Sequence, residues 1–239
     1  MIDFNIEKIA PLCKEFGVEI TPEINRKLNL YGNLLIEWNQ KINLTAITDP
    51  DGVLYKHFYD CILFFKNVTV PQNATIIDVG TGAGFPGLVL KIVRPDLQVT
   101  LLDSLNKRIT FLNDVIDKLE LAGITAIHSR AEEGGNNKNL REKFDISCAR
   151  AVASMPVLLE YCVPFIKVGG QFVAMKGPSA TEEIEKSQNA IKQLGVTQPT
   201  IICETLTGEE QRAFCIFKKI SQTPPKYPRN GGKIAKQPL

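Results

Sequence analysis

Histidine is scarce in this sequence: 239 residues contain two, His57 and His128, far apart along the chain. A zinc site needs three or four nitrogen and sulfur ligands, usually in short-spaced pairs. The six cysteines (Cys13, Cys61, Cys148, Cys162, Cys203 and Cys215) form no C-x-x-C pair and lie mostly in apolar runs. They read as buried, reduced thiols, and no metal is expected. No stretch approaches the ~20 consecutive apolar residues of a membrane span. The opening MIDFNIEKIA carries acids and no basic-then-apolar leader, so a cytoplasmic protein without a membrane partner is expected. The formal net charge is only +2, which excludes a molecule that is polycationic all over.

What is present is the composition of a globular protein, 44% hydrophobic and 23% charged. Residues 1–66 read as a helical extension. Thr21-Pro22 and Asp49-Pro50 each supply an N-capping oxygen followed by a proline suited to a first helical turn. Leu28, Tyr31, Leu34, Leu35 and Trp38 line one face of the first of these helices. The segment 67–74 looks like a linker. Residues 67–220 then alternate short β-rich runs with longer amphipathic ones. Strands are expected at 75–79, 98–103, 124–128, 144–150 and 169–176, and helices near 86–94, 105–121, 154–166 and 180–195. Such alternation implies right-handed crossovers and a parallel sheet. Two further strands, 199–206 and 212–219, flank a short polar loop and read as a hairpin, so the seven-stranded, mostly parallel sheet ends with antiparallel pairing. From Lys218 onward there are six basic residues and no acidic one, with four prolines and a Gly-Gly pair. Residues 221–239 therefore read as an extended basic tail, which either tracks nucleic-acid phosphates or serves solubility.

The densest motif is IIDVGTGAGFPG, residues 76–87. An apolar strand runs into Asp78 and then into Gly80, Gly82, Gly84 and Gly87. Glycines allow a sharp turn and close backbone approach to a ligand, at the strand end where open α/β sheets bind ligands. The run satisfies G-x-G-x-x-G, so a dinucleotide is one reading. However, Asp78 sits poorly beside a pyrophosphate and suits a ligand carrying sulfonium and ammonium charges. S-adenosylmethionine is such a ligand. Asp103, closing the second strand, suits ribose hydroxyls of either ligand. After the third strand, SRAEE (129–133) places Glu132 where it could meet an adenine edge.

These segments resemble a known family. DVGTGAGFPG, RPDLQVTLLDSLNKR (94–108), SRAEE, SCARAVA (147–153) and FVAMKG (172–177) follow the pattern of the GidB family of bacterial 16S ribosomal RNA methyltransferases. WNQKINLTAITDPDGVLYKHFYD (38–60) and the tail (224–239) also look like that family, the tail like its Gram-positive members. The resemblance implies a Rossmann-like class I methyltransferase fold and S-adenosylmethionine as methyl donor. It further implies 16S ribosomal RNA or the small ribosomal subunit as partner and 7-methylguanosine as product. Gly80, Phe85, Ala131, Glu132 and Arg150 match cofactor-contacting positions, and Asp78 and Asp103 match the acids ending the first two strands. Asn43, Arg130, Arg150 and Arg212 match polar positions needed for activity or RNA contact.

The acceptor chemistry agrees with that reading. Methylation of a pyrimidine carbon needs a cysteine nucleophile, commonly after proline, and the sequence has no Pro-Cys dipeptide. The [NDS]-P-P-aromatic turn of adenine amino methylation is replaced by CARAVASMP. Guanine N7 carries a free lone pair and needs no base, so proximity and orientation suffice. Bland readings stand beside these. Arg150 could cap a strand, Arg130 and Arg212 could be solvated, Asn43 could merely shape a turn, His57 reads as structural, and Trp38 as core. A monomer is expected, and a non-enzymatic ribosome-associated module or another methyl acceptor remains open.

Overall fold

In the computed structural model, which describes residues 2–206, 208 and 210–239, the run TIIDV becomes β1 (Thr75–Val79), apolar on both faces and central in the sheet. Its parallel neighbours are β2 (Gln98–Asp103) and β4 (Phe144–Arg150), and β3 (Ile124–His128) lies beyond β2. β5 (Ile166–Lys176) extends the parallel set; β6 (Thr200–Thr205) and β7 (Gln211–Lys218) form the antiparallel end. The order is β3-β2-β1-β4-β5-β7-β6, and the mostly parallel sheet with an antiparallel end is the one the strand pattern implies. Strand order reverses between β1 and β4, which opens a crevice at their carboxyl ends.

Helices cover both faces. On one side lie α1 (Ala10–Lys14), α2 (Pro22–Asn39), α3 (Pro50–Gly52), α4 (Asp60–Ile62), α5 (Phe64–Asn67), α6 (Gly87–Val93) and α7 (Asn106–Lys118). Thr21 caps α2 by accepting from Ile24 N at 3.3 Å, and Asp49 caps α3 by accepting from Gly52 N at 2.7 Å. Tyr31, Phe58 and Phe64 share one buried cluster with Ile76, Leu88 and Phe111, so the N-terminal helices are built into the core of the sheet. On the other side α8 (Ala131–Asn136), α9 (Met155–Cys162), α10 (Ala180–Glu185), α11 (Gln188–Leu194) and α12 (Gly231–Lys236) enclose a second cluster around Phe165, Phe172 and Phe217.

Four local expectations change. Between α3 and α4 the chain winds as a π-helix, Val53–Tyr59. The single helix expected at 180–195 breaks at Ser187, whose buried hydroxyl donates back to Glu183 O at 2.6 Å; that back-bonding bends helices. Cys203 is exposed, while the other five cysteines are buried. The tail is not extended: Thr223, Tyr227 and Ile234 are buried, and Asn230 caps α12 by accepting from Lys233 N. Its apolar residues and a bidentate Arg229–Glu160 pair dock it, features that charge and proline content conceal.

Candidate functional site

Two cavities open at the carboxyl ends of β1, β2 and β4, and Gly80 lines both. The smaller, about 150 Å³, is lined by Asp103, Arg130, Ala131, Glu132, Val152 and Tyr161 among others. The larger, about 520 Å³, is lined by Lys56, His57, Asp60, Phe85, Arg108, Arg150, Lys176 and Arg212 among others. One ligand reaching across Gly80 can therefore occupy both.

The glycine turn that separates them has a divided purpose. Gly80, at φ +70°, lies beneath Val152, whose side chain is 2.8 Å from where a Cβ would sit, so a side chain there would strain the backbone and press on a residue lining the smaller cavity. Gly84, at φ +99°, faces protein: its Cβ would meet Leu88 Cδ1 at 2.3 Å and the Tyr31 hydroxyl at 2.8 Å. Gly84 therefore lines neither cavity, contrary to the expected ligand contact, because α2 and α6 close on it. Gly82 stays in the larger cavity.

Asp78 departs further from expectation. Its carboxylate is fully buried and lines neither cavity. Oδ2 accepts from Thr81 Oγ1 at 2.6 Å and from Gly87 N at 2.8 Å, tying the turn to the start of α6. Burial pushes its pKa up to about 6. Asp78 thus shapes the turn from behind rather than facing a cationic ligand. Asp103 does reach the smaller cavity. Its Oδ2 accepts from Gly82 N at 2.9 Å and pairs with Arg108 at 3.2 Å, and Oδ1 accepts from Leu105 N at 2.9 Å.

Arg150, ending β4, is the hub of the larger cavity. Nη1 donates to Asp60 Oδ2 at 2.7 Å and to Lys56 O at 2.9 Å, and Nη2 donates to His57 Nδ1 at 3.1 Å. Because Nδ1 accepts, the ring proton sits on Nε2, 2.8 Å from Thr45 Oγ1. The imidazole stacks on Phe85 with centroids 4.4 Å apart, and the Arg150 guanidinium lies 4.9 Å from the same ring. Burial, reinforced by the Arg150 charge, lowers the His57 pKa to about 3, so the ring stays neutral. Arg212 Nε lies 3.2 Å from Asp60 Oδ1, an ion pair without hydrogen-bond alignment, and Nη2 donates to Glu210 at 2.8 Å. Lys176 pairs with Glu183 at 2.7 Å and donates to Ala153 O at 3.0 Å. Nearly every cation here already holds an acid, so the cavity is an ordered network rather than a bare positive pit.

Two expected site residues lie outside this network. Asn43 is exposed and lines neither cavity; Asn39 organises that loop instead, accepting from Leu44 N and Thr45 N and donating to Thr45 O. Arg130 is exposed at the rim of the smaller cavity. Sequence reasoning missed Thr45, Lys56, Asp60 and Arg108. An acid on the apolar face of a helix, three residues after His57, was the available sign for Asp60.

The comparisons with known proteins bear on this geometry. The GidB family, described as rRNA small subunit methyltransferase G, matches residues 24–215. The chain belongs to the GidB family. In this GidB member the matched span contains every residue lining the two cavities, while residues 221–239 fall outside it. The ribosomal RNA small subunit methyltransferase G of Clostridium perfringens (strain SM101 / Type A) is 50% identical over 237 residues, covering 99% of this chain and 98% of its own length. That of Acetivibrio thermocellus is 52% identical over 225 residues, 94% and 92% of the two chains. Among solved structures, a SAM dependent methyltransferase from Aquifex aeolicus superposes with a TM-score of 0.53 at 18% identity, over 76% of this chain and 97% of that one. M. jannaschii TYW2 in complex with AdoMet gives 0.53 at 14% identity, over 73% and 80%. These structural likenesses establish the Rossmann-like methyltransferase fold.

Proposed function

We propose that this GidB chain, acting in the cytoplasm, moves a methyl group from S-adenosylmethionine to N7 of a guanosine in small-subunit (16S) ribosomal RNA. The observation that carries the acceptor assignment is how the imidazole and carboxylates of the larger cavity are engaged. His57 has both ring nitrogens engaged and a pKa near 3, and Asp60 is held between Arg150 and Arg212. Glu183 is held by Lys176 and by Met155 N. Among the described lining residues, the imidazole and both carboxylates are already engaged by protein groups. An acceptor there must bring its own lone pair, as guanine N7 does.

The residues fit the donor as follows. Asp103 would accept from the ribose hydroxyls, and Ala131 and Glu132 would flank the adenine. The backbone at Gly80, free of a Cβ, would let the chain of the donor pass into the larger cavity. When bound, S-adenosylmethionine supplies an electrophilic methyl group on a sulfonium sulfur. Phe85 and Arg150 form one wall of the receiving cavity, and the ion-pair network holds that wall in place before the substrate arrives, so alignment supplies most of the acceleration. If N7 takes the methyl group, no donor can occupy that atom. Arg150 or Arg212 would then meet a phosphate or the guanine O6. The dinucleotide reading loses its support, because Gly84 and Gly87 pack against protein and not toward a pyrophosphate.

Asp103→Ala tests the placement of the donor. Calorimetric titration with S-adenosylhomocysteine should show affinity reduced at least about 10-fold, the scale of a lost charge-assisted hydrogen-bond pair. Wild-type affinity would move the donor elsewhere.

A further inference from the structure

The wall of the smaller cavity is made by an element that could not stand alone. α8 has the sequence AEEGGN, six residues with two adjacent glycines, and glycine is among the poorest helix formers. Its first two residues, Ala131 and Glu132, line the cavity. The start and the end of α8 both meet the C-terminal segment. Gly231 lies so close to Glu132 that a Cβ on it would come within 2.3 Å of Glu132 Oε1. Pro228 packs over Gly135, 2.9 Å from the position of a Cβ there. Asn136 Nδ2 donates to Pro228 O at 3.1 Å. Arg141 Nη1 bridges Gly135 O and Tyr227 O at 2.9 and 2.8 Å.

The other wall is clamped by the same segment. Arg229 donates to both carboxylate oxygens of the fully buried Glu160, the closest contact being 2.6 Å, and the next residue on α9 is Tyr161, which lines the cavity. We propose that residues 221–239 position the nucleoside-binding walls, with Arg229 and Gly231 as positioning residues for the methyl donor. The inference rests on the placement of the adenosine part of S-adenosylmethionine in the smaller cavity. It assigns the tail a task on the donor side of the reaction, whereas its basic composition points toward RNA.

The test uses the full-length chain and three variants: Asp103→Ala, Arg229→Met and Gly231→Ala. Gly231→Ala is the most discriminating. Alanine favours the helix that Gly231 begins, and its methyl group displaces only the Glu132 carboxylate. The expected result for Gly231→Ala and Arg229→Met is a Kd for S-adenosylhomocysteine raised roughly 3- to 10-fold, the loss expected for a misplaced hydrogen-bonding wall. The KM for S-adenosylmethionine should rise with it, while kcat at saturating donor and the KM for unmethylated small ribosomal subunits stay at wild-type values. Arg229→Met leaves Glu160 buried without its partner and could unfold the chain; Gly231→Ala then decides alone. Wild-type donor affinity in Gly231→Ala, with Asp103→Ala impaired, would overturn the role of the tail while leaving the donor site intact. A raised KM for subunits with unchanged donor affinity would also overturn it and make the tail an RNA contact. Wild-type affinity in Asp103→Ala would remove the donor site and this inference together.

Discussion

His57 and Asp78 are both buried, and their titrations act on stability in opposite directions. The His57 pKa is depressed to about 3, so its contribution to stability is complete above about pH 6.5 and is lost as pH falls toward 3. Asp78 is raised to about 6, so its contribution is complete below about 3.8 and is gone above about 6. Each slope approaches about 1.4 kcal/mol per pH unit within its window. Urea unfolding of His57→Gln between pH 6.5 and 4 should therefore show a flatter acid decline than wild type; an unchanged slope would mean that His57 is charged in the fold. Asp78→Asn should lose no stability at pH 7, because the amide oxygen can still accept from Thr81 and Gly87 while the buried charge disappears. At this scale Asp103, Phe85 and Arg150, expected from the sequence as ligand contacts, do line the cavities. Asp78 and Gly84 line neither cavity, and a strand-end acid or a motif glycine looks the same in sequence whether it faces a cavity or protein. Only the approach of Tyr31 and Leu88 decides Gly84.

Elements far apart in the chain meet at the glycine turn. Tyr31, in the middle of α2, donates its hydroxyl to Ala83 O at 2.5 Å and packs on Phe85, so the N-terminal helices brace the loop from behind. Tyr31→Phe should lower unfolding free energy by about 1 kcal/mol, the usual worth of one buried hydrogen bond. Thermal or urea denaturation checks this, and an unaltered midpoint would show that the loop holds itself. Strand existence and parallel pairing were legible from alternation, and the hairpin was legible from its polar loop; the strand order was not. The π-helical turn at Val53–Tyr59 was not, since apolar spacing at Val53, Leu54, His57 and Phe58 is equally that of an α-helix. Yet that turn sets Lys56, His57 and Asp60 against Arg150. Docking of the tail was equally hidden, because it depends on Glu160, an acid 69 residues away and buried on α9.

For the molecule as a whole, both faces of the sheet converge on one crevice. The N-terminal cluster shapes the larger cavity through Phe85 and His57, and the opposite cluster shapes the smaller one through α8, α9 and the tail. On the proposed assignment, this division lets cofactor and acceptor be recognised by different parts of one chain. Among the described residues no helix is long and apolar enough to cross a membrane. The central claim is methyl transfer to a nucleophile that needs no base. Its most direct test is transfer from labelled S-adenosylmethionine to small ribosomal subunits from cells lacking this gene, with nuclease digestion and mass spectrometry of the modified nucleoside. The account predicts label in 7-methylguanosine, reduced at least about 10-fold when Asp103→Ala replaces the wild type at limiting donor. Label in a base-methylated pyrimidine or an adenine amino group, or no label despite measurable donor binding, would contradict it.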